Sequence, residues 1–250
     1  MDSALRLMSA AVITQSWSWP YRRRPGNRHT TAPSDGRFGH TYDQRVPKSR
    51  TEAFSDGVFA IAITLLIIEV RVPHSKAGEL AGDLAGQWPS YAAYLVSFVI
   101  IGIIWVNHHD IFEHLITVDR PLLFLNLLLL LTVAFLPFPT ALLGQYIRQG
   151  DNAHIAAAVY GANMMFIGLA FIAMWTYLAR VPSLLEPDVG ARGALRARRA
   201  AAIGPVVYGL SIALAFVSPV ACLVVYAALA LYFAIAFTVA RHSDDATDTR

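Results

Sequence analysis

Charged residues are scarce in this sequence. Asp, Glu, Lys and Arg account for 15% of the 250 residues, whereas hydrophobic residues account for 56%, and the mean hydropathy is +0.47. Soluble globular domains contain roughly 25% charged residues, so this balance excludes an ordinary water-soluble protein. The composition predicts an integral membrane protein.

Cysteine is nearly absent as well. Cys222 is the single cysteine and lies inside an apolar run, so the sequence offers neither an intrachain disulfide nor a cysteine-based metal site. The net charge is +3 and the isoelectric point is near 9.1. Because the arginines concentrate in the N-terminal tail and in one loop, both beside apolar stretches, they indicate membrane topology. We expect no nucleic-acid partner.

Enzyme motifs are missing too. The sequence contains no GxxxxGK[ST], no GxGxxG opening a helix after a strand, no HExxH and no GxSxG, so we expect neither an enzyme nor a cofactor. The TVGYG filter of the usual potassium channels is also absent. Val-Tyr-Gly occurs at residues 159–161 and 207–209, but both triplets fall in predicted helices, where small residues at helix contacts explain them.

Long apolar stretches are what the chain does have. A helix needs about 20 apolar residues to cross a hydrocarbon core of about 30 Å. Six stretches come near that length: residues 53–72, 88–107, 121–143, 153–179, 201–217 and 220–240. Residues 201–240 are almost continuously apolar, and only Val217-Ser218-Pro219 offers a break. We predict a tight hairpin there, because one 40-residue helix would far exceed the bilayer. The expected fold is all-α, with six transmembrane helices per subunit.

The flanking segments complete the predicted organisation. Residues 1–49 are rich in Arg, Pro, Gly, Ser and Thr and lack apolar periodicity, so we predict a disordered tail. Residues 50–241 form the transmembrane domain, and residues 242–250 form a C-terminal tail.

Lysine and arginine predict the orientation. With six spans, the N-terminal tail, the arginine-rich loop at 180–200 and Arg241 lie on one side of the membrane. The other side carries few cations: Arg71, Lys76 and Arg148. We therefore expect a multi-pass protein of the cell membrane with both termini in the cytoplasm.

Polar residues gather at the cytoplasmic ends of the first three predicted spans. They are Arg50, Asp56, Trp105, Asn107, His108, His109 and Asn126. Polar groups in a span are costly and usually face a bundle interior. A metal site with Asp110, Glu113 and His114 is one interpretation, although adjacent histidines point to different faces of a helix. A proton relay through Asp56 and His108 is another. We favour a third, in which Asp56 accepts hydrogen bonds that hold the helices together, so no metal is expected.

The first span also carries an apolar stripe. At helical spacing it runs through Phe54, Gly57 or Val58, Ile61, Leu65 and Ile68, with Thr64 on nearly the same face. Packing against other helices explains such a stripe most simply. In an oligomer with this face on the symmetry axis, the stripe would instead form apolar rings and one hydroxyl ring around a pore.

Three sequence motifs in order resemble one family. They are RTEAFSD at residues 50–56, WVNHH at residues 105–109 and NLLLLLTVAFLPFPT at residues 126–140. The first is similar to the Arg-x-x-x-Phe-Ser-Asp signature of the TMEM175 (DUF1211) family of potassium channels, and the other two are similar to its later elements. With one such signature, the chain resembles the prokaryotic, single-repeat type.

The resemblance implies a homotetrameric channel that conducts K⁺ passively through a pore lined by the first helix of each subunit. It implies a constriction at Ile61, further apolar layers at Leu65 and Ile68, and selectivity at Thr64. It also implies a structural polar network made of Arg50, Phe54, Ser55, Asp56, Trp105, Asn107, His108 and Asn126. The partners are then other copies of the chain, lipid and the permeant K⁺. A proton-coupled or proton-conducting transporter using Asp56 and His108 is the alternative, and a non-transporting scaffold is a third.

Overall fold

The computed structural model describes residues 47–187 and 189–229. Most of the predicted N-terminal tail, the second half of the sixth predicted span, Arg241 and the C-terminal tail lie outside the described residues. The described part is helical, and an isolated antiparallel bridge pairs Leu115 with Leu185. An all-α fold was expected from the sequence.

The helices are numbered α1 to α9 within the described residues. They are α1 Lys48–Leu65, α2 Leu80–Gly86, α3 Trp88–Glu113, α4 Arg120–Phe135, α5 Pro137–Tyr146, α6 Asp151–Arg180, α7 Gly190–Ala201, α8 Ile203–Ala215 and α9 Pro219–Leu229. A 3₁₀ turn, Leu66–Glu69, continues α1, and a second, Pro182–Leu184, follows α6.

Within residues 47–187 and 189–229, four stretches are long and apolar enough to cross a membrane. They are Lys48–Glu69, Trp88–Glu113, Arg120–Tyr146 and Asp151–Arg180, and they match the first four predicted spans. The helices α8 and α9, as described, have 13 and 11 residues, fewer than the roughly 20 that a span requires. The fifth and sixth spans therefore stay predictions.

The third span is broken into two helices. The helix α4 ends at Phe135, and α5 begins with Pro137 as its first residue. Proline has no backbone N–H and its ring clashes with the preceding turn, so it ends or kinks a helix at the residue before it. The N–H of Leu136 bonds instead to the carbonyl of Val133 at 3.1 Å. The predicted stretch 121–143 thus comprises parts of two consecutive helices.

The arginine-rich segment is a helix and not the loop that the sequence analysis expected. Residues 190–201 form α7, in which Ala194 and Ala197 are buried. Alanine and arginine are among the strongest helix formers, and the buried alanines let the helix lie close to its neighbour. Interpreting the segment by its charge alone concealed this propensity.

The core lies around α6. This helix packs against α4, α5, α7 and α8, whereas α1 packs against α3, α4 and α5. The helices α4 and α5 thus contact both α1 and α6. At Gly168 the backbone of α6 lies close to α8, because an added Cβ would lie 2.5 Å from the ring of Pro205.

The predicted break at Val217-Ser218-Pro219 reverses the chain. Across the turn, the hydroxyl of Tyr226 lies 3.1 Å from Ser211 Oγ, and Cys222 Sγ lies 3.3 Å from the Ser211 carbonyl. The two Val-Tyr-Gly triplets meet the same cluster, because Tyr160 and Tyr208 both pack against the ring of Tyr226. These triplets are packing elements inside helices, as the sequence analysis expected.

A candidate pore helix and its polar anchor

The helix α1 has two different faces. Its buried face consists of Thr51, Ser55, Phe59 and Ala62. The opposite face carries the predicted stripe: Phe54 is 56% exposed, Ile61 61%, Leu65 40% and Ile68 68%, and Gly57 and Thr64 are exposed too. Packing within the subunit was the simplest explanation of this stripe, but these side chains do not contribute to the subunit's own core.

The hydroxyl of Thr64 is bonded within its own helix. Thr64 Oγ1 donates to the carbonyl oxygens of Ala60 and Ile61, each at 2.9 Å. A hydroxyl has one hydrogen and two acceptor lone pairs, so the hydrogen points back to the helix and the lone pairs remain for another group. On an exposed face, Thr64 can therefore offer oxygen to a cation.

The end of α1 changes its winding. The helix becomes a 3₁₀ turn at Leu66–Glu69, and the chain is extended at Val70. Side chains three residues apart eclipse one another in a 3₁₀ helix. This places Ile68 nearly in line with Leu65, so the exposed stripe continues past the end of the α-helix.

A buried chain of hydrogen bonds holds the other end of α1. Ser55 Oγ donates to the carbonyl of Thr51 at 2.8 Å, and Asn126 Nδ2 donates to Ser55 Oγ at 3.0 Å. His108 Nε2 lies 2.8 Å from Asn126 Oδ1. Because a carbonyl oxygen only accepts, His108 is the donor in this bond. Ser55, His108 and Asn126 are at most 1% exposed, so the chain joins α1, α3 and α4 inside the bundle.

A second contact joins α1 to α3 at the surface of the subunit. Trp105 Nε1 donates to Asp56 Oδ1 at 2.8 Å, and the Trp105 ring stacks on His109 with centroids 5.9 Å apart. Both members of the hydrogen bond are exposed. Asp56 and His108 thus have separate partners, although both lie near the same end of the bundle.

Other residues of the predicted network stand apart from these contacts. Asn107 Nδ2 donates to the Ile103 carbonyl of its own helix at 3.0 Å, and Phe54 points outward on the exposed stripe. Arg50 is exposed and makes no side-chain hydrogen bond or ion pair with another described residue.

Sequence reasoning missed the aromatic side chains that pack around His108 in the buried chain of hydrogen bonds. Phe112 stacks on the ring of His108 at 4.4 Å, and Phe59 packs against it at 5.3 Å. Phe112 follows His108 by four residues, a spacing that puts both on one helix face. This spacing was the signal in the sequence that would have identified Phe112.

A second buried polar cluster was missed as well. Ser97 Oγ lies 2.8 Å from Thr140 Oγ1 and 3.0 Å from the hydroxyl of Tyr160. These bonds join α3, α5 and α6. Thr140 also donates to the carbonyl of Leu136, which lies at the proline break. Single hydroxyls within apolar spans are the only sequence signal for this cluster.

The two adjacent histidines of α3 lie in different surroundings. Among residues 47–187 and 189–229, no group of three or more His, Cys, Asp and Glu side chains is placed to hold a metal ion. His108 is buried against Asn126, whereas His109 lies exposed on Trp105. The adjacent imidazoles thus point to different faces of α3.

Comparisons with known proteins all point to the same family of channels. The model of the family described as the endosomal/lysosomal potassium channel TMEM175 matches residues 50–137. A Streptomyces collinus protein described as a potassium channel is 51% identical over 185 residues, which cover 74% of this chain and 90% of the relative. Human TMEM175, described as an endosomal/lysosomal proton channel, is 31% identical over 71% of this chain and 37% of its own length.

A solved structure has the same fold. It is the crystal structure of a lysosomal potassium-selective channel TMEM175 homolog from Chamaesiphon minutus, with a TM-score of 0.67 and 39% identity. The match covers 75% of this chain and 96% of that one. The resemblance noticed in the sequence motifs is thereby confirmed.

Proposed function

This chain belongs to the TMEM175 family of channels, and from that premise we propose that it is a potassium-selective channel that conducts K⁺ passively. Four copies assemble around a central pore in the cell membrane, and α1 of each copy lines it. The observation that carries the proposal is the exposed stripe of α1, which runs opposite to the face that packs in the subunit.

Ile61 is the constriction in this proposal. It is 61% exposed in the single subunit, and the symmetry of a tetramer would bring four such side chains together. A ring of apolar side chains gates a water-filled path by excluding water when the path is narrow. Leu65 and Ile68 supply two further apolar layers towards the outer end of α1.

Thr64 supplies the oxygen atoms for selectivity. Its hydroxyl hydrogen is bonded to the helix, so its lone pairs are free to replace part of the hydration shell of a cation. Four hydroxyls between apolar layers give a cation its only polar side-chain contacts along the stripe. Oxygen ligands that substitute for water are the general basis of selectivity among alkali cations.

The polar contacts fix the rotation of α1. Ser55 and Asn126 hold its buried face against α3 and α4, and Asp56 is held by Trp105. Hydrogen bonds are directional, so these contacts restrain rotation of the helix about its axis. In the proposal, Arg50, Phe54 and Asn107 belong to the same end of the channel, and none of these residues needs to touch the permeating ion.

The membrane topology of the proposal has six spans. The helices α8 and α9 lie within the predicted fifth and sixth spans, residues 201–217 and 220–240. Both termini are cytoplasmic, because the N-terminal tail, α7 and Arg241 carry most of the Lys and Arg.

Ion flux tests the function. Purified protein is reconstituted in liposomes that contain K⁺ and are diluted into Na⁺, with a protonophore and a pH-sensitive dye to report the charge movement that K⁺ efflux drives. We expect dissipation of the K⁺ gradient and a much smaller response with Na⁺ inside. Absence of flux, or flux that depends on an imposed proton gradient, contradicts a passive potassium channel.

Proton transport is the second candidate. Two observations favour it: the human relative is described as a proton channel, and the imidazole of His108 lies in a buried chain of hydrogen bonds. Asp56→Asn separates the candidates, since an amide oxygen still accepts from Trp105 but the side chain no longer carries a proton. A proton-coupled transporter loses its coupling, whereas the passive channel retains K⁺ flux.

A further inference from the structure

The helix α7 presents three arginines on one side. Arg192, Arg196 and Arg199 are exposed, and their spacing of four and three residues puts them on one helix face. Ala194 and Ala197 on the opposite face are 0% and 4% exposed. With a rise of about 1.5 Å per residue, the three arginines span roughly 10 Å along the helix.

These arginines have no acidic partner in the described part of the chain. The side chains of Arg192, Arg196 and Arg199 make no hydrogen bond or ion pair with another described residue. Cations spaced three or four residues apart on a helix repel one another. A bound anion that reaches two or three of them would relieve this repulsion.

The position of α7 favours a membrane lipid as the source of that anion. The helix leads directly into the apolar helix α8 and packs against α6. The last turns of α6 contain Tyr177, whose hydroxyl donates to Asp119 at the start of α4. Tyrosine is typical of the membrane–water interface, so α7 lies at the polar boundary of the bundle.

This face of α7 carries groups that suit both the phosphate and the acyl chains of a phospholipid. The guanidinium fork of arginine matches the geometry of a phosphate. Leu195 lies among the three arginines and is 40% exposed, so it can contact the start of an acyl chain. A basic amphipathic helix beside a span is a typical site for anionic lipid.

We propose that Arg192, Arg196 and Arg199 form a docking surface for the phosphate groups of anionic phospholipids. Lipid binding at this surface is a function separate from the proposed conduction of ions. One part of the argument rests on the proposed function: with α1 at the axis of a tetramer, α7 lies on the far side of α6 and faces the surrounding lipid. The surface itself is a feature of the single subunit.

Lipid binding to the purified full-length protein tests the surface. Native mass spectrometry counts lipids retained in detergent after addition of phosphatidylglycerol or of phosphatidylcholine. We expect the wild type to retain more phosphatidylglycerol. The variant R192Q/R196Q/R199Q should bind it more weakly, by roughly fivefold for each arginine removed.

Two matched variants make the test specific. R71Q/K76Q/R148Q removes three exposed cations from elsewhere in the chain and should leave phosphatidylglycerol binding unchanged. R192K/R196K/R199K keeps the charge and should retain most of the binding, which separates loss of charge from loss of folding.

Other results overturn the proposal. Equal retention of the two lipids by the wild type would mean that the arginines have another occupant, such as the acidic tail with Asp244, Asp245 and Asp248. Equal phosphatidylglycerol binding by the wild type and R192Q/R196Q/R199Q would place the lipid elsewhere. Competition by soluble glycerol phosphate at low concentration would identify a free phosphate site. None of these results depends on K⁺ flux, so failure of this proposal and failure of the channel proposal are distinguishable.

Discussion

Asn126 of α4 donates a hydrogen bond of 3.0 Å to Ser55 of α1, and both side chains are buried. The same amide accepts from His108 of α3 at 2.8 Å. One side chain thus satisfies polar groups from two other helices. Burial without such partners would cost each group free energy, so Asn126 has a structural role that an apolar residue of the same size cannot fill.

Replacement of Asn126 by leucine should destabilise the subunit. The substitution leaves the His108 Nε2–H without an acceptor, which costs about 1–3 kcal/mol for a buried group. We expect a lower thermal unfolding midpoint in detergent and a smaller tetrameric fraction in size-exclusion chromatography. Asn107→Leu is the control, because Asn107 bonds only to its own helix. If both variants lowered the unfolding midpoint equally, the hydrogen bonds of Asn126 to two other helices would not be what stabilises the subunit.

Shortening the proposed constriction should increase conduction. Ile61→Ala widens an apolar ring and weakens the exclusion of water, so we expect faster K⁺ flux and poorer discrimination against Na⁺ in liposomes. Leu131→Ala is the matched control, since Leu131 is 66% exposed on α4 and is not part of the stripe. If Ile61→Ala conducts and selects like the wild type, the pore lining lies elsewhere.

Removing the hydroxyl at position 64 should reduce selectivity without changing side-chain volume greatly. Thr64→Val replaces the oxygen by a methyl group, so a cation loses its ligands and the K⁺-to-Na⁺ flux ratio should fall. Thr64→Ser retains the hydroxyl and should preserve most of the ratio. Thr132→Val tests the loss of a comparable helix-bonded hydroxyl on α4, and we expect no change in its flux ratio.

Adding a methyl group at Gly168 should force α6 and α8 apart. The new Cβ would lie 2.5 Å from the Cδ and Cγ atoms of Pro205, and a proline ring has little freedom to move. Overpacking of this kind typically costs about 1–3 kcal/mol, which thermal unfolding would detect. Gly102→Ala has open space around its new Cβ and should be neutral or stabilising. A Gly168→Ala protein as stable as Gly102→Ala would contradict the close approach of the helices.

Much of the fold follows from the apolar pattern. The first four stretches reached the length of a bilayer, and the structure has helices over each of them. Depth along the spans also predicted that Asp56, Trp105, His108 and Asn126 share one layer. The length of a span and the depth of a residue in the membrane both depend only on position along the chain, so a single sequence is enough to predict them.

Rotation about the helix axes did not follow from the sequence. Each residue turns an α-helix by about 100°, so an error of one position moves a side chain to another face. For this reason Asn107, predicted to join the polar network, bonds to its own helix, while Phe112 lines the network unpredicted. The helix at 190–201 was missed for another reason, because its charge was weighed and its helix propensity was not.

The two ends of α1 are held by different kinds of contact. Near Ser55, the buried hydrogen bond from Asn126 of α4 restrains both the position and the rotation of the helix. At the other end, Leu66 is buried, and its apolar contacts resist separation but have little directional preference. The end of α1 near Ser55 is therefore held more rigidly than the end near Leu66. In the proposed tetramer, a lateral force on α1 would therefore displace Leu65 and Ile68 more than Phe54, and the pore width would change most easily at that end.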